Sequence, residues 1–152
     1  RARINMLQMA KVMGSSYRAV FEELERRGLK ADGAPYARYT GIDWEELAAQ
    51  GKLAAMLGIF TRKWNVEMGL PLSEPLPPAE GFAAGCLPAG RYVETLHRGP
   101  YRKVNAAYER LQNLARQEGL KLGSESIEIY LNDPRTTASA ELETLVLIPL
   151  LD

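Results

Sequence analysis

Tyr17–Tyr39 reads YRAVFEELERRGLKADGAPYARY and Tyr108–Tyr130 reads YERLQNLARQEGLKLGSESIEIY; a displacement of 91 positions lays one on the other without a gap. Tyr17 falls on Tyr108, Gly28 on Gly119, Leu29 on Leu120, Lys30 on Lys121 and Tyr39 on Tyr130. Each copy runs from an amphipathic helix through a Gly-Leu-Lys stop to a short extended segment that ends on Tyr. These identities fall where helix face, C-cap and strand pattern also coincide, so the chain reads as a duplicated helix-on-sheet module. Two such modules meet at a pseudo-two-fold axis, and the seam between modules is where small-molecule pockets tend to form. Glu128 stands where the first copy has Ala37. The fold therefore does not require a carboxylate at that position.

Working outward from the two copies completes the architecture. Ala2 and Ile4 alternate with polar residues as a strand does. Met6, Met9, Met13, Tyr17, Val20 and Leu24 then recur at spacings of three and four, which is one apolar helical stripe. Gly28 is a candidate left-handed C-cap. The small residues Gly14, Ser15 and Ser16 would let this helix approach a sheet closely. Ala34–Thr40 reads as a strand, 43–60 as an inserted helix capped by Asp43, and Lys63–Leu72 as a strand closed by Pro71. The Pro- and Gly-rich stretch that follows is a natural linker. Arg91–His97 reads as a strand, and Gly99-Pro100-Tyr101 turns into a helix striped by Val104, Tyr108, Leu111 and Leu114 or Ala115. Gly119 stops it. Ser126–Leu131 and Leu142–Leu150 are the closing strands, the second carrying Pro149 as the first half carries Pro71. The expectation is an α+β fold: strand-helix-strand-strand, twice, with antiparallel sheets, helices on one face and a ligand pocket on the other. One domain would span 1–152, with repeat one at 1–72, a linker at 73–89 and repeat two at 90–152.

Composition narrows the function. Nineteen Lys and Arg balance nineteen Asp and Glu, and no basic stripe appears, which argues against nucleic-acid binding by this chain itself. The single Cys86 excludes an internal disulfide framework and fits a reducing, cytoplasmic setting. No apolar run approaches the ~20 residues that span a bilayer, so no membrane partner is expected. One His and one Cys leave the usual zinc spacings unfilled, and no glycine-rich phosphate loop is present. No cofactor is expected. His97, at a strand-to-helix corner, reads as a hydrogen-bonded structural residue. An open sheet also offers edges through which a homodimer could pair.

Alternation along 126–131 decides what shares a face. Ile127, Ile129 and Leu131 point one way, and an aliphatic set is expected to point toward the helices. Ser126, Glu128 and Tyr130 would then face away from them, joined by Ala37 and Tyr39 of the first half. That choice leaves Arg38 on the helix side with no evident reason. A carboxylate between tyrosine walls suits an organic cation, because aromatic faces attract desolvated cations by up to ~2 kcal/mol each. The plainer reading of Glu128 is a solvated strand residue. One of Trp64 and Glu67 should lie near the pocket, depending on whether Gly69 makes a bulge. Trp44 and Phe60 flank the inserted helix, which could lid the site.

Leu87-Pro88-Ala89-Gly90-Arg91-Tyr92 followed by His97-Arg98-Gly99-Pro100-Tyr101 resembles the central signature of GyrI-like domains. Ile127–Pro134 resembles their "E-x-Y-x-x-D-P" element, Leu145–Leu150 their closing strand, and Val66–Leu72 their "v-E-v-G-x-P-v" strand. The resemblance covers nearly the whole chain. It implies a pocket between the repeats for aromatic, often cationic compounds, with Glu128 as its acidic floor. The ligand-binding set expected from residues and resemblance together is Glu128, Tyr130, Tyr39, Trp64, Glu67, Tyr92 and Phe60, with Met68 and Met56 adding adaptable packing. Relatives include effector-binding domains of Rob-like and BmrR-like regulators, so drug or xenobiotic sensing or sequestration is the leading expectation. A hydrolase of reactive cyclopropane-bearing natural products, with Glu128 as general base, is the alternative. A topoisomerase-inhibiting interaction protein is the third.

Overall fold

A computed structural model describes residues 1–49, 62–77 and 81–151 of the 152-residue chain. Along it run β1 (Ala2–Ile4), α1 (Met6–Arg26), β2 (Tyr36–Thr40), α2 (Trp44–Ala49), β3 (Trp64–Gly69) and β4 (Tyr92–Arg98). They are followed by α3 (Asn105–Glu118), β5 (Lys121–Leu122), β6 (Glu125–Tyr130) and β7 (Glu143–Leu151). One-turn 3-10 helices occupy Tyr101–Lys103 and Ser139–Glu141. Phe60 and Met56, and most of the inserted helix expected over 43–60, lie outside the described residues.

The strands join into one antiparallel sheet ordered β1-β3-β2-β6-β7-β4, with β5 paired on β7. Read from its centre outward, the sheet is the same three-strand pattern twice. The first half contributes β1-β3-β2 and the second β6-β7-β4. The β2–β6 ladder joins them, and there Ala37 pairs with Glu128. The 91-residue displacement carries Ala37 onto Glu128, so each is the other's repeat equivalent and its ladder partner. The pseudo-two-fold axis therefore passes between these two residues.

The helix stops show the duplication as hydrogen bonds. Gly28 and Gly119 take φ of 68° and 65°. Leu29 N–H donates to Leu24 C=O at 2.9 Å, and Leu120 N–H to Ala115 C=O at 2.8 Å. This is one left-handed cap used twice, the glycine supplying a backbone region that a Cβ disfavours. The strand-closing prolines are duplicated likewise. A Cβ on Gly33 would meet Pro71 Cγ at 3.0 Å, and one on Gly123 would meet Pro149 Cγ at 3.0 Å. Asp32 N–H and Gly123 N–H donate to the carbonyls of those prolines.

Both long helices lie on one face. From α1, Met9, Val12 and Met13 pack on Ile4, Ala37 and Val66. From α3, Ala107 and Leu111 pack on Val93, Val146 and Ile148. The entry to α1 is held by a reciprocal pair with no counterpart among the sequence expectations. Asn5 accepts from Gln8 N–H at 3.1 Å and donates its own N–H to the Gln8 side chain at 3.3 Å. Asp43 caps α2 as its position suggested, accepting from Glu46 N–H at 2.8 Å. Gly14 does not bring α1 close to the sheet, because a Cβ there would meet nothing within 4 Å. Among the described residues, no helix is long and apolar enough to cross a membrane.

In the α3 stripe it is Ala115 that is buried, while Leu114 is 41% exposed and Leu111 1%. Truncating Leu111 leaves a void that the ladder beneath cannot collapse into. Leu111→Ala is expected to cost about 2–5 kcal/mol in urea unfolding, and Leu114→Ala less than about 0.5 kcal/mol. Equal losses at the two positions would contradict this packing.

Candidate functional site

Strand parity fixes which side chains meet the helices. Val93, Val146 and Ile148 pack under α3, and Glu128 is the ladder partner of Val146. Ser126, Glu128 and Tyr130 therefore lie on the helix-bearing face, not on the open face expected from sequence. The grouping by alternation holds, but the face is reversed. Ile127, on the opposite side, is itself only 3% exposed. Both faces of this central strand are thus covered, and an aliphatic set is no guide to the helix side. The reversal also accounts for Arg38. It sits opposite the helices, with its Nη1 3.2 Å from Glu67 Oε2 and its Nε 2.9 Å from Glu125 Oε2.

Glu128 is 7% exposed. Its Oε1 accepts from the Tyr108 hydroxyl at 2.8 Å and its Oε2 from the Tyr130 hydroxyl at 2.9 Å. The Tyr39 hydroxyl adds a third interaction with the same carboxylate. Tyr108 also shares a 3.1 Å hydroxyl contact with Ser126. Tyr130 is held edge-on by two further rings: Tyr17 from α1 at 6.2 Å and Tyr101 at 5.4 Å between centroids. Tyr17 is anchored in turn, donating to Tyr36 C=O at 2.7 Å. Behind Tyr108 lies Trp44, ring centroids 5.9 Å apart, its Nε1–H bonded to Gly123 C=O at 2.6 Å.

Five of the seven tyrosines thus gather around one carboxylate. Four of them are the two repeat-related pairs, Tyr17 with Tyr108 and Tyr39 with Tyr130. In sequence, Tyr17 and Tyr108 read as packing residues of their helices and were missed as neighbours of Glu128. The signal was present: both occupy the same place in the repeat, so a dyad at residue 128 must bring them together. Tyr101 had only its place in a turn motif. The rings are half-buried, except Tyr101, which is exposed, while the carboxylate beneath them is covered.

The remaining expected residues divide. Met68 pairs with Ala37 and lies on the helix face. Trp64 shares that face but packs with the Ile4 cluster, its ring 5.1 Å from the Arg62 guanidinium carbon. Glu67 does not join the site: it is on the opposite face, ion-paired with Arg1 and Arg38. The β2–β3 register runs unbroken through Gly69, so no bulge redirects it. A Cβ on Gly69 would meet the Tyr36 ring within 3.0 Å, and the cross-strand tyrosine fills that space. Tyr92 is also on the far face, one residue out of phase with buried Val93, and donates to Pro88 C=O at 2.5 Å.

Burial raises the Glu128 pKa above the ordinary 4.5, while the tyrosine donors and the nearby His97 pull it back only in part. Burial likewise pushes the Tyr17, Tyr39, Tyr108 and Tyr130 hydroxyls upward, which keeps them neutral donors. Among the described residues no Lys or Arg ion-pairs with Glu128. A carboxyl whose folded pKa is raised contributes its stability at low pH and loses it as pH rises through that pKa. An amide in its place, as in Glu128→Gln, carries no such dependence. The stability of wild type minus that of Glu128→Gln is expected to fall as pH climbs from about 4 through the raised pKa. Thermal unfolding of both proteins across pH 4–8 reads it, and a difference that is flat or rises with pH would contradict the assignment.

Set beside known proteins, residues 13–151 match a family model described as a GyrI-like small molecule binding domain. No curated protein matches the chain. Among solved structures, a hydrolase encoded by lin2189 from Listeria innocua is similar at 14% identity and a TM-score of 0.44, over 78% of this chain and 63% of that one. An uncharacterized conserved protein from Listeria innocua is similar at 15% and 0.44, over 78% and 64%. A hydrolase from the same organism is similar at 15% and 0.43, over 84% and 71%. The chain spans less than two thirds of the length of the first two.

Proposed function

The chain belongs to the GyrI-like family of small-molecule-binding domains, and we propose that it binds bulky, flat organic cations at Glu128, to sense or sequester them. The observation that carries this is a buried carboxylate with tyrosine hydroxyls around it and no ion-pair partner among the described residues. A desolvated anion held mainly by neutral hydroxyl donors is costly, and a cation entering the site would supply a countercharge. The half-buried tyrosine rings offer faces to such a ligand, each worth up to ~2 kcal/mol to a desolvated cation. Flat aromatic cations suit tyrosine rings better than compact ones, because they bring more area to each ring contact. Met68, beside Ala37, adds a side chain that can repack around ligands of different outline.

A second reading draws on the same geometry. A carboxylate of raised pKa is a better general base, and a neighbouring tyrosine hydroxyl could hydrogen-bond an oxyanion developing on an electrophilic substrate. Reactive aryl-conjugated cyclopropanes are the substrates to try. Turnover by wild type that disappears in Glu128→Gln would establish hydrolysis in place of simple binding.

Trp44 packs on Tyr108, so ligand contact with that tyrosine should alter tryptophan fluorescence. Titrating aromatic cations and neutral aromatics of matched shape against wild type and Glu128→Gln tests the proposal. The cation is expected to lose about 1.5–3 kcal/mol of binding, the scale of a charge-assisted contact, and the neutral compound much less. Equal losses for both, or none for the cation, would sink the assignment.

A further inference from the structure

On one side the sheet ends at β4, whose outer edge carries no further strand among the described residues. Two hydrogen bonds fix how the β4 backbone points. Leu150 N–H donates to Arg91 C=O and Gly99 N–H to Leu142 C=O, both at 2.8 Å. Bonding alternates residue by residue along an antiparallel ladder, so the odd-numbered residues from Arg91 to Gly99 turn their backbone groups toward β7. Glu94, Leu96 and Arg98 turn theirs outward. One outward group is occupied: Leu96 C=O accepts from Arg110 Nη2 at 3.2 Å and keeps its second lone pair. The side chains of Glu94, Leu96 and Arg98 stand on the face away from the helices, out of phase with buried Val93 and His97. Leu96 is 39% exposed. Arg98 is exposed and reaches Glu143 at 2.9 Å, while Glu94 is exposed with no ion pair among the described residues. A regular edge with a bare leucine along it is a template to which a strand of another chain can add. The opposite edge differs, because β1 covers only Ala2–Ile4 and Arg1 and Arg3 line it with one sign of charge.

We propose that β4 pairs antiparallel with β4 of a second copy of this chain, about a two-fold axis at Leu96, joining two sheets into one. The side chains choose the partner. Turned about Leu96, the strand sets Leu96 against the partner's Leu96, Glu94 against the partner's Arg98 and Arg98 against the partner's Glu94. Opposite charges meet on both sides of the axis, and such directly opposed pairs stabilise a ladder where like charges would destabilise it. Each of these pairings also joins two residues whose backbone groups point outward, so the free N–H groups of Glu94, Leu96 and Arg98 find carbonyls. Moving the axis to Thr95 sets Glu94 against the partner's Leu96, and moving it to His97 sets Leu96 against the partner's Arg98. Charge complementarity therefore selects one register. It also selects a copy of the same strand, since an isologous contact requires an edge complementary to itself. The inference stands apart from the ligand reading of Glu128, which lies on the other face of the sheet.

Sedimentation velocity from micromolar to near-millimolar concentration tests this on wild type, Glu94→Arg, Arg98→Glu and a mixture of the two variants. Wild type is expected to show a concentration-dependent equilibrium between monomer and dimer. Either variant alone sets like charges opposite one another on both sides of the axis. Each is expected to dimerise at least about tenfold more weakly, about 1.4 kcal/mol. In the mixture every such pair is opposite in sign again, so the two variants are expected to form a heterodimer as tight as the wild-type dimer. Both side chains are exposed, so either variant should keep the fold, which circular dichroism checks. Hydrogen exchange gives a second readout on wild type alone. The Leu96 amide should gain protection as concentration rises, whereas the Thr95 amide, already bonded to β7, should be protected throughout. A wild type that stays monomeric would overturn the pairing and leave the edge to a strand of a different protein. Dimers indifferent to both variants, a mixture no tighter than its components, or a Leu96 amide that exchanges at one rate at every concentration would overturn it as well.

Discussion

Everything distinctive in this protein follows from the pairing of Ala37 with Glu128 at the centre of the sheet. A duplicated module brings identical positions face to face at its axis, and identical carboxylates there would repel one another in a site with little water to screen them. One copy therefore carries the charge and the other the smallest side chain that still packs, fully buried Ala37. The asymmetry leaves a single anion where two symmetric sets of tyrosines converge. The scaffold doubles the aromatic surroundings and keeps the charge single.

The two faces of the same sheet treat acidic residues in opposite ways. On the face away from the helices, Glu67 and Glu125 share Arg38, and Glu67 also meets Arg1. Those groups are partly exposed and electrically matched, and each such pair contributes modestly to stability. On the helix face, Glu128 has hydroxyl donors and no such partner among the described residues. Its raised pKa is the consequence of leaving water, which the hydroxyl donors and His97 offset only in part. Stability alone does not favour that arrangement, since an apolar side chain of similar volume would fill the same space without a desolvation cost. The proposed recognition of a charged ligand would give a reason for it.

The same contrast extends along β7. Val146 and Ile148 fill the core beneath α3, whereas Thr144 introduces a hydroxyl into an equally buried position with no hydrogen-bond partner among the described residues. A polar group in a packed interior is expensive when unsatisfied, and this one lies one diagonal step along the ladder from Glu128. The helix face is therefore an apolar floor beneath each helix and a hydrogen-bonded polar strip at Ser126, Glu128 and Tyr130, where the two halves meet.

The elements and their duplication are legible in the chain alone. Glycines that adopt left-handed backbone, prolines that end strands and apolar residues at helical spacing act locally, so Gly28, Gly119, Pro71 and Pro149 mark the two stops and the order of strands and helices. Alternation also groups Ser126, Glu128 and Tyr130 correctly, because successive side chains on a strand must diverge. What alternation cannot say is which of the two faces the helices cover. Ile127 and Ile129 look like the helix side because they are aliphatic, yet a central strand is shielded on both sides. Arg38, stranded by that choice, is the residue that objects. The face was settled by folding, since it depends on which surface α1 and α3 find when they fold back. Folding also brought Tyr17, Tyr101 and Tyr108 from separate elements onto one carboxylate and moved Glu67 and Tyr92 away from it. Those outcomes rest on contacts between residues far apart in the chain, and no local pattern encodes them.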